Sequence, residues 1–253
     1  LRSLMEHLQD LDSENEYFLF EPTLSNYKVT NTRWKKVLVS SGLPGTIWQQ
    51  FILPIYLKKY AVELFWAPEQ ICPVIRSGCK KIVTTIFDMT AYRFPDTCQY
   101  SNLIVQRSLL RKTIRRSNFL LPISDFVSHE LTFFFSRVLK PDQVVVVPCG
   151  GPDWRLPDDY KEENRKEFLF FAGNLEPRKN LMRLIEALEK LNRTGLKVSL
   201  HIAGTEGWKN KKILEKINSS VVKNQIRFLG YLTEEDLKKQ YMSCKAVVYP
   251  SLY

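Results

Sequence analysis

No stretch of this sequence stays apolar for the roughly 18 residues that a bilayer-spanning helix needs. Even the richest run, around Phe51 to Leu57, is interrupted by Pro54. No basic segment followed by an apolar one opens the chain, so neither export nor a membrane span is expected. Cysteine is sparse. Cys72, Cys79, Cys98, Cys149 and Cys244 are odd in number, far apart and free of any CxxC spacing. That pattern fits reduced thiols in a cytoplasmic protein better than a disulfide framework or a zinc knuckle. His7, His129 and His201 have no carboxylate or thiol at ligand spacing, so no metal is expected. There is no internal repeat and no low-complexity tract. No aromatic platform is interleaved with basic residues, and no helix-turn-helix or zinc signature appears, so nucleic acid is not an expected partner.

What is present is a core and a basic balance. At 253 residues and 44% hydrophobic content the chain can bury one large domain or two smaller ones. Lys and Arg number 37 against 27 Asp and Glu, a formal charge of +10. Residues 167–253 alone carry 15 cations against 9 anions. Such a balance suits a phosphorylated ligand, a nucleic acid or an acidic membrane surface, although a solvated basic face with no partner is the commoner cause.

The texture changes at CGGPDWRLPDDYKEENRK, where glycine, proline and dense charge separate apolar segments. Residues 151–166 are therefore expected to link a domain at 1–150 to another at 167–253. In the first, Glu16 to Phe20, Lys36 to Val39, Glu63 to Trp66, Lys81 to Phe87, Asn118 to Ile123 and Gln143 to Val147 read as strands. In the second, Glu167 to Ala172, Lys197 to Ala203, Gln225 to Leu229 and Ala246 to Tyr249 do. Several are continuously apolar, as parallel strands covered on both faces are. A helix is predicted over Arg178 to Arg193, burying Leu181, Leu184, Ile185, Leu188 and Leu191 and stopping at Gly195. Another, Trp208 to Val222, should bury Ile213, Leu214, Ile217 and Val221 and show Lys209, Lys212, Lys216 and Lys223 to solvent. The pattern is an α/β fold of two Rossmann-like halves, whose ligands bind beyond the carboxyl ends of the strands.

The most informative turn follows Ala172. Gly173 permits a close backbone approach and Pro177 suits a first helical turn. Arg178 and Lys179 then fall at the predicted amino end of a helix, where each cation is unfavourable by a few tenths to about 1 kcal/mol. A bound diphosphate would offset this, with Arg as a bidentate fork and Lys as a point charge. Ordinary surface cations partly neutralised by Glu176 would look the same in sequence.

FAGNLEPRKNLMRLIEAL, beginning at Phe171, closely resembles the corresponding segment of the retaining GT-B glycosyltransferases of the large group 1, or family 4, type. The similarity continues through IAGTEGW (Ile202 to Trp208), FLGYLTEEDLKKQY (Phe228 to Tyr241) and AVVYPSLY (Ala246 to Tyr253). KKIVTTIFDMTAYRFP (Lys80 to Pro95), LLPISDFVSHEL (Leu120 to Leu131) and VVVVPCGGPD (Val144 to Asp153) resemble the acceptor-side domain more loosely. The resemblance implies two Rossmann-like domains with parallel sheets facing a cleft, the second incomplete. It implies metal-free, cofactor-free transfer of a hexose, mannose among the options, from a nucleotide sugar to a glycan or lipid-linked acceptor in surface polysaccharide assembly, with retention. It assigns the donor diphosphate to Arg178 and Lys179 and the rest of the donor site to Gly173, Gly204, Tyr231, Leu232 and Ser251. Asp88 would position an acceptor hydroxyl or, equally, cap its own loop. Phe87 stands where many members have His, and Phe cannot make that hydrogen bond. The family's glycine-rich phosphate loop and two-glutamate motif are not in this sequence. The 253 residues are therefore expected to be part of a longer protein and, alone, to transfer nothing.

Two other readings remain at this stage. Arg107, Arg111, Lys112, Arg115 and Arg116 share a helical stretch with an apolar stripe of Leu103, Leu110 and Ile114. That helix suits either an anionic membrane surface, on the inner face of the cytoplasmic membrane, or the outer layer of an α/β domain. Asp88 followed by Thr90 superficially resembles the nucleophile strand of haloacid-dehalogenase-like phosphohydrolases, but the second Asp that chemistry requires is absent.

Overall fold

In the computed structural model, residues 2–75, 78–151, 154–155, 158, 160–162 and 165–253 are described. The chain divides into two units, Leu1–Tyr92 with Ser101–Gly150, and Arg93–Tyr100 with Gly151–Tyr253. Within the expected linker, residues 152–153, 156–157, 159 and 163–164 lie outside the described residues.

The first unit runs α1 (Arg2–Leu11), β1 (Tyr17–Glu21), β2 (Trp34–Leu38), α2 (Gly45–Ile47), a π-helical turn (Trp48–Ile52), α3 (Leu53–Lys59), β3 (Leu64–Ala67) and β4 (Lys81–Ile86). It continues with α4 (Thr90–Arg93), α5 (Tyr100–Arg116), β5 (Phe119–Pro122) and α6 (Asp125–Phe135). Its strands form two parallel sheets, β1-β2 and β3-β4-β5. Pro54 lies within one helical run from Gly45 to Lys59, directly after the π-helical turn, where Ile52 and Leu53 keep helical backbone and Leu53 N donates to Trp48 O.

The expected strand at Gln143 to Val147 is reduced to one bridge, Leu120 with Val144. Its backbone still follows β5. Leu120 N donates to Gln143 O, Val145 N to Leu120 O and Val147 N to Pro122 O. The next reciprocal bond would need an N–H on Pro122, which proline lacks.

Leu110 and Ile114 of α5 are fully buried, while Arg111, Lys112 and Arg115 are exposed. Two of the three stripe residues of this helix are therefore covered, and Leu103 is partly buried. Among the described residues no helix is long and apolar enough to cross a membrane.

The second unit holds one four-stranded parallel sheet in the order β8-β7-β6-β9. Its elements are β6 (Lys166–Ala172), α7 (Leu181–Arg193), β7 (Ser199–Ala203), α8 (Lys211–Ser219), β8 (Ile226–Gly230), α9 (Glu234–Ser243) and β9 (Cys244–Val247). The central strand β6 is buried on both faces. Phe171 joins Leu181, Ile185, Leu188, Leu200, Ile202, Ile213 and Ile217 on one side. Phe168 and Phe170 join Ala203, Cys244 and, from α9, Leu237 and Tyr241 on the other. Each such side chain contributes about 1.5–3 kcal/mol of burial, which explains the unbroken apolar run of β6.

Helix α8 is shorter than predicted. It ends at Ser219, Ser220 turns extended, and the chain re-enters the core through Val222, leaving Val221 exposed. Lys216, predicted to face solvent, instead reaches α7. Its ammonium donates to both oxygens of Glu189 at 2.9 and 2.8 Å, and Ser220 Oγ donates to the same carboxylate at 2.6 Å. Those two donors hold the Glu189 carboxyl below its ordinary value. A carboxyl lowered by folding contributes stability above the usual carboxylate range and loses it as pH falls through its folded pKa. Glu189→Gln should therefore cost about 1 kcal/mol at neutral pH, and the gap from wild type should shrink at an acid pH below the usual carboxylate range. Urea melts of both proteins at the two pH values check this; a gap that stays the same in acid would contradict it.

Candidate functional site

The ends of β6 and β7 meet through backbone alone. Gly204 has φ +142°, and a β-carbon there would lie 2.3 Å from the carbonyl oxygen of Gly173, so only glycine fits. Gly173 N donates to Ala203 O and Gly204 N to Gly230 O, both at 2.8 Å, so the ladder continues past the strand ends. Leu175 N then donates to Thr205 O at 3.1 Å, and Asn174 Oδ1 accepts from Thr205 Oγ1 at 3.0 Å. A β-carbon on Gly207 would come within 2.6 Å of Glu176 Cγ, so the buried Glu176 stem fills the space that Gly207 leaves.

Beyond this pair of turns the chain departs from expectation. Arg178 and Lys179 do not open the helix: Pro177–Lys179 is a separate 3-10 turn, and α7 begins at Leu181. Between them Asn180 is left-handed, at φ 60° and ψ 31°, a conformation Asn tolerates better than most residues. Its Nδ2 donates to Pro250 O at 2.9 Å, which fixes it there. The two cations thus stand ahead of the helix end, where the macrodipole is already fading. The amides of Lys179 and Asn180 are spent on Glu176 O and Pro177 O within the turn.

The residues after β9 lie along this turn. Arg178 Nη1 donates to Tyr253 O at 3.1 Å, Leu252 N donates to Arg178 O at 2.9 Å, and Lys179 Nζ donates to the Tyr249 hydroxyl. Arg178 Nη2 stands 3.7 Å from Glu176 Oε2, an ion pair beyond hydrogen-bond reach. Glu176 Oε2 and Ser251 Oγ are both buried and find no hydrogen-bond partner among the described residues.

The other predicted donor-site residues fall at the carboxyl ends of strands in the same sheet. Tyr231 follows β8 and is 84% exposed, whereas Leu232 packs against the Phe168 and Phe170 cluster. Thr233 caps α9 by accepting from Asp236 N at 3.2 Å, and three acidic residues in that helix's first turn suit its dipole. With the strands in the order β8-β7-β6-β9, Tyr231, Gly204, Gly173 with Arg178 and Lys179, and Ser251 follow consecutive strands of one parallel sheet. Asp88 belongs to the other unit. Its Oδ1 accepts from Thr90 N at 2.9 Å, capping its own loop, and its backbone is held at both N and O by Gln70. Phe87 beside it is exposed. Among the described residues no group of His, Cys, Asp or Glu is placed to hold a metal ion.

Residues 153–253 match the family model described as glycosyl transferases group 1. Those residues belong to the group 1 glycosyltransferases. Over 205 residues the chain is 26% identical to the O-antigen chain mannosyltransferase B of Escherichia coli, covering 78% of this chain and 53% of that protein. Over 140 residues it is 28% identical to the glycogen synthase of Mycobacterium tuberculosis, covering 55% and 33%. The chain thus spans about half or less of the curated relatives it matches. Sucrose-phosphate synthase from Thermosynechococcus elongatus matches in structure with a TM-score of 0.64 at 14% identity, covering 93% of this chain and 65% of that one. Anabaena HepE in complex with UDP-glucose matches with a TM-score of 0.60 at 17% identity, covering 85% and 60%. These structural likenesses establish an α/β fold with parallel sheets of the GT-B kind.

The group 1 segment contains features that sequence reasoning passed over. Asn174, Gly207, Asn180 and Tyr249 all shape the turn, and all four lie within the strings FAGNLEPRKN, IAGTEGW and AVVYPSLY, where their neighbours drew the assignment. Gly204→Ala should cost about 3 kcal/mol or more, because the added carbon meets backbone. Gly230→Ala should cost only about 1–2 kcal/mol, since Gly230 at φ +66° has nothing within 4 Å of its β-carbon direction. Thermal melts of the two variants should rank in that order; equal losses would mean that the Gly173 contact does not constrain the fold.

Proposed function

We propose that this chain is part of a nucleotide-sugar-dependent glycosyltransferase that moves a hexose to a glycan or lipid-linked acceptor in polysaccharide assembly. One observation carries the reading: the paired cations of the 177–179 turn share a single parallel-sheet edge with Gly173, Gly204, Tyr231 and Ser251, the place where such sheets bind ligands. Group 1 membership of residues 153–253 and the kinship with an O-antigen mannosyltransferase support it. HepE, whose fold is shared, is described in complex with UDP-glucose.

In this reading Arg178 and Lys179 hold the donor diphosphate, the backbone at Tyr231 and Leu232 holds the nucleotide base, and Ser251 adds a hydroxyl. As the bond from the anomeric carbon to the diphosphate oxygen breaks, negative charge gathers on that oxygen beside the two cations. An acceptor hydroxyl oxygen bonds the same carbon on the same face, and its proton passes to the released diphosphate. Arg178 and Lys179 act by standing where the charge develops, and losing one such donor typically costs roughly 100-fold to 1000-fold in rate. Asp88 enters as a positioning residue on the acceptor side. No metal ion is assigned a role.

The direct test is ligand-induced thermal stabilisation by UDP, GDP and ADP in turn. At a concentration about 100-fold above Kd, a bound nucleotide adds about 2.7 kcal/mol. One of the three should raise the melting temperature, and the double variant Arg178→Ala/Lys179→Ala should abolish the response. Indifference of the wild type to all three overturns the reading. The stabilisation should also survive excess chelator, and its loss on chelation would contradict a metal-free site.

A further inference from the structure

We propose that Tyr249 is a third member of the diphosphate site, accepting a hydrogen bond from Lys179 and turning its own O–H toward the phosphate that carries the sugar. This rests on the nucleotide-sugar reading above. Tyr249 stands two residues past β9, and its ring is stacked on Phe171, with centroids 5.6 Å apart and planes 14° from parallel. Phe171 is fully buried in β6, so the position of the tyrosine ring is set by the core of the unit. The hydroxyl comes to the glycine turn, 3.6 Å from where a β-carbon of Gly173 would lie. There it accepts from Lys179 Nζ.

A tyrosine kept only for its ring would leave its hydroxyl in water. Here the oxygen meets the one cation of the turn that has no carboxylate partner among the described residues. A phenol has a single hydrogen, so when its oxygen accepts from an ammonium group that hydrogen must point elsewhere. Polarisation by the cation strengthens it as a donor. Among the described residues no acceptor takes it. The segment that carries Tyr249 is also clamped to the cationic turn, through Asn180 to Pro250 O, Arg178 to Tyr253 O and Leu252 N to Arg178 O. Lys179 is therefore aimed by Tyr249, and the two together present two donors to an anion at the Gly173 turn.

Tyr249→Phe keeps the stacked ring and removes only the hydroxyl. With whichever of UDP, GDP and ADP binds the wild type, calorimetry should find the diphosphate affinity of Tyr249→Phe reduced roughly 5- to 20-fold. Affinity for the monophosphate of the same base should change less than about twofold, because the hydroxyl addresses the second phosphate. In a Lys179→Met background the same substitution should add less than about twofold, since the pair acts together. Unchanged diphosphate affinity, or equal loss of both nucleotides, overturns the proposal. If the ring substitution disturbs packing, both nucleotides weaken together, so the monophosphate serves as internal reference. A wild type that binds none of the three nucleotides sinks the nucleotide-sugar reading itself, and is told apart by needing no variant.

Discussion

The backbone of Gly204 passes so close to the carbonyl of Gly173 that no other residue fits, and the geometry of the candidate site follows from that approach. Parallel strands ordinarily separate once their ladder ends. Here the bonds from Gly173 to Ala203, Gly204 to Gly230 and Leu175 to Thr205 carry the pairing into the loops. The two turns become one surface made of main chain, on which side chains enter only where a missing β-carbon leaves room. Glu176 over Gly207 is the clearest instance. Because β6 is buried on both faces by Phe168, Phe170 and Phe171, the strand that feeds this surface cannot shift without opening a core on either side.

That rigidity is passed to the cationic turn by contacts distant in sequence. Asn180 adopts its left-handed backbone while bonded to Pro250, seventy residues on, and so ends the 3-10 turn before α7 begins. Arg178 is held by Tyr253 O and stands near the buried Glu176 carboxylate. A guanidinium has five N–H donors, so these partners orient it without exhausting it. Breaking such a pair would leave Glu176 as an uncompensated buried charge, which gives Arg178 a role in stability apart from any ligand.

These particulars separate what could be read in the sequence from what could not. The βα rhythm was legible because continuous apolar strands and amphipathic helices are local signals, and the strands after residue 166 lie within two residues of their predicted positions. The start of α7 was not legible, since PRKNL reads as helix until Pro250 takes the Asn180 side chain. The choice of Val222 over Val221 depends on Ser220 ending α8, and the periodicity of the helix gives no warning of that. Lys216 looks like one more solvated cation until Glu189 is brought opposite it by packing. The candidate donor residues could be named from a family resemblance. The part played by Tyr249 needed the stacking on Phe171, which alternation along β6 does not reveal.

The basic balance of the chain and the cationic turn act at different ranges. Much of the charge in residues 167–253 is answered locally, by Lys245 with Glu167, Lys239 with Glu235 and Lys216 with Glu189. The first two pairs are exposed, easily screened and worth little to stability. What remains is a diffuse positive field that would speed the arrival of an anion and weaken as salt rises. Lys179 differs because among the described residues it meets the Tyr249 phenol and no carboxylate, so its charge is not answered at short range. Selectivity for an anion at this edge must come from that local arrangement, since a diffuse field attracts any negative charge alike.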